Sequence, residues 1–156
     1  MLSPEEFTVG TFGSAQPLSL ILPRTQYEAT VLIAHINKAP AAIFLSGLHA
    51  FQYFESAGND SWKGLIIPNV RVEVDETSVF DPNQISIPLG TLIRIDTRLT
   101  IWAKGERSFD ASTSATLCDD LPSTGEFRAA FSRWQIVIGE GQEKRVLWQK
   151  SDESND

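Results

Sequence analysis

The stretch Val70-Arg71-Val72-Glu73-Val74-Asp75 alternates apolar and charged side chains at every step. Successive side chains point to opposite faces only in an extended chain, so the segment reads as a strand with one buried and one wet face. Upstream, Trp62 to Ile67 leads into it through Pro68-Asn69. Downstream, Phe80-Asp81-Pro82-Asn83 breaks the pattern. A second long strand is expected from Thr91 to Trp102. Read as one strand, it has Ile93, Ile95, Thr97, Leu99 and Ile101 on one face and Arg94, Asp96, Arg98 and Thr100 on the other.

Towards the N-terminus, Tyr27 to Ile36 is a further strand. Tyr27, Ala29, Val31 and Ile33 share one face, while Leu32, Ala34 and Ile36 make the other face apolar too, as in a strand buried on both sides. Asn37 to Pro40 turns the chain, and Ile43-Phe44-Leu45 resumes an extended run, which together suggest a hairpin. His49 to Glu55 alternates less cleanly, with Phe51, Tyr53 and the adjacent Phe54. Leu18 to Leu22 is a short candidate strand ending at Pro23. Ser3-Pro4-Glu5-Glu6 resembles a helix start of one turn. Ala57 to Ser61 is a turn, and Trp62 after it is expected to fasten a strand end to the core.

Lys104 to Thr124, rich in Ser and Thr, reads as a long surface loop. Glu126 to Arg133 is ambiguous. Phe127, Ala130, Phe131 and Trp134 match helical spacing, with Ser123 and Glu126 at the spacing of a capping box, yet the segment runs straight into the strand-like Gln135 to Ile138. Arg145 to Gln149 completes a terminal hairpin that brings Trp134 near Trp148 across the ladder. The fold class is therefore mainly β, an antiparallel sandwich or barrel with at most one or two short helices. The alternative is α+β, with a helix at Glu126 to Arg133. One β-rich domain is expected over 1–150, with a frayed acidic tail at 151–156.

Composition narrows the function mostly by exclusion. The chain has 156 residues, 42% hydrophobic and 21% charged, enough for an independent core. Thirteen basic residues face twenty acidic ones, a net charge of −7. Phosphate backbones and anionic lipid surfaces both recruit Lys and Arg, so neither nucleic acid nor membrane is the expected partner. A single cysteine, Cys118, excludes an intrachain disulfide and suits a reducing compartment. No basic patch and apolar stretch open the sequence, and no apolar run approaches the ~20 residues of a membrane helix. These features point to the cytoplasm.

Motifs that would carry chemistry are missing. His35 and His49 are isolated, with no H-x-H, H-E-x-x-H or C-x-x-C spacing. Cys118 precedes Asp119 and Asp120, whose charges disfavour a thiolate. G-x-S-x-G, G-x-G-x-x-G and the P-loop pattern are absent. No catalytic residue, cofactor or metal site is assigned. Glu73 and Asp75 project from one strand face, about 7 Å apart, and read as a solvated face. Were their strand to pair with the next long one, they would stand across from Arg94 and Arg98. Trp102 falls on the same side as those arginines. An interaction surface is accordingly expected at Trp102, Arg94, Arg98, Glu73 and Asp75.

Two classes of function remain. One is a non-enzymatic protein-interaction domain, such as an acidic antidote or immunity protein that binds a basic partner. The other is a small-molecule-binding β-barrel module, or an enzyme with a motif-less site. Apolar second faces on several strands also suit a homo-oligomer.

Overall fold

A computed structural model describes residues 7–22, 29–36, 39–55, 63–82, 87–95, 98–104, 107–111, 116–118 and 127–150. The strands among them are β1 (Thr8–Thr11), β2 (Leu20–Leu22), β3 (Val31–Ile36), β4 (Ala39–Phe44), β5 (Tyr53–Glu55), β6 (Lys63–Ile67), β7 (Arg71–Val74), β8 (Val79–Phe80), β9 (Leu92–Ile95), β10 (Arg98–Ala103), β11 (Arg107–Asp110), β12 (Thr116–Cys118), β13 (Phe127–Phe131), β14 (Trp134–Ile138) and β15 (Arg145–Lys150). Helical geometry among the described residues is confined to 3-10 turns at Phe12–Ser14, Glu76–Ser78 and Gly141–Glu143. The protein is mostly antiparallel β. The helix start at Ser3 to Glu6, the turn at Ala57 to Ser61, Trp62 and the tail at 151–156 lie outside the described residues.

Twelve strands form one sheet, whose main path runs β1-β6-β2-β3-β12-β11-β10-β9-β13-β8, with β4 and then β5 extending from β3. Among the described residues that path does not close on itself, so the mainly β expectation holds and its barrel form does not. The sheet forks at β3. One edge of β3 carries β4 along its whole length, from Val31↔Phe44 to Ile36↔Ala39. Its other edge is divided between β2, through Leu20↔Leu32, and β12, which runs parallel to it at Thr116↔His35. A second sheet, β15-β14-β7, is separate.

Both sheets feed one main core. Leu20, Leu32, Ile43, Leu92, Ile101, Phe109 and Phe131 come from the large sheet, and Trp134, Ile136 and Ile138 from the small one. Val72 and Val74 pack against this core while Arg71 is exposed, the arrangement that their alternation requires. β3 is buried on both faces, as its sequence implies. Leu32 and Ala34 enter the main core, whereas Val31 and Ile33 join a second cluster with Phe12, Ala15, Ile21, Ala42 and Ile66. Leu18, with φ of 59°, ties this region together. Its N–H donates to the Ile33 carbonyl at 3.0 Å, and its own carbonyl accepts from Val70 at 3.1 Å.

Three expectations are corrected. Thr91 to Trp102 is a hairpin, β9 and β10, in which Arg98 stands opposite Ile95 and Ile101 opposite Leu92. Directly opposed residues share a face, so the antiparallel pairing of Ile95 with Arg98 inverts the parity. Leu99 and Ile101 lie on the face of Leu92 and Arg94, while Ile93 and Ile95 lie with Arg98, Thr100 and Trp102. From the second set, Ile93 and Ile95 form a third cluster with Ala130, and Trp102 packs against it. Lys104 to Thr124 contains β11 and β12, and Phe109 and Ala111 are buried, so the serines and threonines around them disguised two strands. Where a helix was possible over Glu126 to Arg133, Phe127–Phe131 is instead β13. It pairs with β9 on one edge and β8 on the other. Phe131 faces the main core and Ala130 the third cluster. A strand buried on both faces mimics helical spacing over so short a run. The terminal hairpin forms as expected, with the Trp134 and Trp148 rings 4.8 Å apart.

Candidate functional site

The β4–β5 hairpin combines local strain with exposed apolar surface. The Phe44 carbonyl accepts from Phe51 N–H, and Phe44 N–H donates to the Gln52 carbonyl at 3.0 Å. Two residues thus oppose one, a bulge whose first position normally belongs to glycine because it requires positive φ. Phe51 occupies that position at φ of 63°. Its carbonyl accepts from Lys104 N–H at 3.0 Å, and its ring meets Trp134 and Trp148 at 6.5 and 6.4 Å. The phenyl ring is anchored in the main core, which holds the backbone in a conformation that phenylalanine disfavours by about 1–2 kcal/mol.

With the bulge so anchored, Gly47 to His49 form an exposed tip, while Ser46 Oγ accepts the Thr30 N–H at 3.1 Å and Ala50 packs against the main core. Leu48 is 93% exposed, beside Gly47 and His49. Along β5 the adjacent aromatics separate. Tyr53 turns inward against Phe109, ring centroids 5.4 Å apart, and Phe54 turns outward, 42% exposed. Phe54 touches Phe44 edge-on at 5.0 Å and His49 at 6.4 Å. Phe44 in turn packs against the second cluster. An apolar strip therefore leaves the interior at Ala42 and Phe44, crosses Phe54 and His49, and comes to the surface. Glu55 is the only Asp, Glu, Lys or Arg from Ala39 to Glu55.

The residues expected to form an interaction surface are not gathered in one place. Glu73 and Asp75 belong to β7 and its end, in the small sheet, whereas Arg94, Arg98 and Trp102 belong to β9 and β10 in the large one. β7 pairs with β14, so the cross-strand ion pairs with Arg94 and Arg98 do not form. Glu73 instead accepts Lys144 Nζ at 3.2 Å, and Asp75 accepts Arg133 Nε at 3.0 Å. Arg94 and Arg98 stand on opposite faces, and the Arg94 guanidinium lies 5.4 Å over the Phe131 ring. Trp102 is half-buried against Ile93, Ile95 and Ala130.

Asp75 is the centre of a joint. Its Oδ1 accepts both the Thr77 hydroxyl at 2.6 Å and the Thr77 N–H at 3.0 Å, and Arg133 Nη2 donates to Thr77 Oγ1 at 2.9 Å. The Thr77 hydroxyl first, then its N–H and the Arg133 guanidinium, hold the Asp75 carboxyl below its ordinary range. Asp75 N–H donates to the Arg133 carbonyl, and Ser78 Oγ receives the Arg133 N–H. These bonds clip the end of β7 to the bend between β13 and β14. Among the described residues no three His, Cys, Asp or Glu side chains converge to hold a metal. No helix among them is long and apolar enough to cross a membrane.

Leu48, Phe54 and Glu55 were not singled out from sequence, although a signal was present. Two adjacent aromatics on one strand must face opposite sides, so either Tyr53 or Phe54 had to point outward.

The family model described as "Uncharacterised protein y4lG" matches residues 9–156. The chain is 69% identical over 153 residues to "Uncharacterized protein y4lG" of Sinorhizobium fredii (strain NBRC 101917 / NGR234), a match that covers 98% of this chain and 95% of that one. No solved structure matches.

Proposed function

The chain belongs to the y4lG family, and we propose that it serves as a non-enzymatic protein-interaction domain, an acidic β-rich binder of a basic protein partner. One observation carries this reading: the apolar strip that surfaces at Phe54, His49 and the 93% exposed Leu48. Leu48, so far out of the core, gains little for folding, and Phe54 with His49 brings aromatic surface out on the same hairpin, as recognition surfaces do. The net charge of −7 supplies long-range attraction for a cationic partner and speeds encounter at low salt. An antidote or immunity role against a basic toxin is one form that such binding takes. The working compartment is the cytoplasm.

The test is affinity capture from the source cells with tagged wild type, in parallel with Leu48→Ser and Phe54→Ser. The reading predicts one basic protein, held stoichiometrically by wild type and weakly by both variants. Failure of wild type to retain any basic protein would sink it.

A further inference from the structure

We infer that the partner docks by strand addition, laying an extended basic segment along the free edge of β5. This inference rests on the proposed interaction role and specifies its mode.

The backbone sets the geometry. In an antiparallel ladder, hydrogen-bonded and non-bonded pairs alternate. Phe44 exchanges its bonds with the bulge at Phe51 and Gln52. Ile43↔Tyr53 is then a non-bonded pair, Ala42↔Phe54 a bonded pair and Ala41↔Glu55 a non-bonded pair. Phe54 consequently spends its N–H and carbonyl on β4. Tyr53 and Glu55 direct theirs away from β4, to a side on which no strand lies among the described residues. Two donors and two acceptors at the spacing of a ladder await a partner strand.

Side chains select the occupant. A residue opposite Phe54 lies on the outer, apolar face and meets the Phe54 ring. A residue opposite Glu55 meets its carboxylate, which favours Lys or Arg. The fitting segment alternates apolar and cationic residues. Other edges among the described residues fit it less well: β8 has two residues, β15 carries Arg145 and Lys150, and β7 carries Arg71 beside a Glu73 already held by Lys144. β1 lacks any charge to select a partner. A second copy of the chain is disfavoured because each copy carries −7.

The experiment uses three fluorescein-labelled octapeptides and fluorescence anisotropy. One alternates Val and Lys, one alternates Val and Glu, and one is the Val-Lys sequence with every backbone amide methylated. Wild type is expected to bind the Val-Lys peptide, to bind the Val-Glu peptide more weakly by a factor of about five or more, and to ignore the methylated one. Glu55→Lys should reverse the preference between Lys and Glu, and Phe54→Ser should weaken both. Absence of Val-Lys binding, equal binding of the methylated peptide, or indifference to both substitutions overturns the inference. So does a dimer in light scattering that Glu55→Lys dissolves. Capturing the basic partner with Glu55→Lys and Phe54→Ser separates the two claims. If Glu55→Lys holds it as wild type does while Phe54→Ser does not, strand addition fails and the binder reading stands. If wild type holds none, the binder reading itself fails.

Discussion

The ring of Phe51 lies against the backbone of Gly90, so close that a β-carbon at Gly90 would collide with it. The Gly90 carbonyl accepts the Trp134 indole N–H at 2.7 Å, and its N–H donates to the Trp102 carbonyl at 2.8 Å. A bulky residue forced into a glycine conformation thus sits on a glycine that has no room for anything else. Together they join the β4–β5 hairpin to the main core.

Gly90→Ala should therefore be costly. It adds overpacking of about 1–3 kcal/mol to the strain of alanine at φ of 84°. Gly47→Ala is the control, with φ of 82° but open space around it, and should cost only about 1–2 kcal/mol. Urea titration of both variants checks the prediction; equal losses would contradict the packing argument.

At position 51 the usual ranking of alanine over glycine should invert. Phe51→Ala loses the ring, about 3–5 kcal/mol, and keeps the unfavourable backbone conformation. Phe51→Gly loses the same ring but relieves about 1 kcal/mol of strain. Denaturant midpoints that place the glycine variant above alanine support the bulge assignment.

Asp75 gives an acid-sensitive element. Its native pKa is lowered, so its contribution to stability is complete above the ordinary carboxyl value of 3.8 and fades as pH falls below it, through the native value. Asp75→Asn should lower the melting temperature at pH 7 and make it less dependent on pH below 4. Identical acid limbs in wild type and variant would show that the Thr77 and Arg133 contacts do not favour the ionised form.

Leu48→Ser should be silent in folding. At 93% exposure it should change stability by less than about 0.5 kcal/mol while weakening retention of the partner. A large loss of stability would show that the loop tip packs against the body.

Much of the fold was legible because burial on a single face leaves a period of two. Val70 to Asp75 shows this most clearly, and the hairpin at Ile36↔Ala39 followed from its turn residues. Besides the β9–β10 turn and the Ser/Thr-rich β11 and β12, two kinds of feature escaped. Strands buried on both faces lose their alternation, which is why β13 resembled a helix. Pairings between distant segments leave no local trace, which is why β7 could not be assigned to β14 rather than to β9 or β10. The candidate site suffered from the second problem: Asp75 finds Arg133, and Arg94 finds Phe131, far along the chain. The apolar strip was half legible, in the neighbouring Tyr53 and Phe54, but only the fold reveals which of them looks outward.

The fork at β3 also governs when the protein can become itself. β2 and β4 are at hand soon after β3 leaves the ribosome, but the parallel neighbour β12 belongs to the last third of the chain. β7 likewise waits for β14. Until β12 has been made, β3 exposes part of one edge to the cell, next to apolar faces that have no cover. Distant pairings of this kind slow folding, and the growing chain passes through a period in which that edge is open to association.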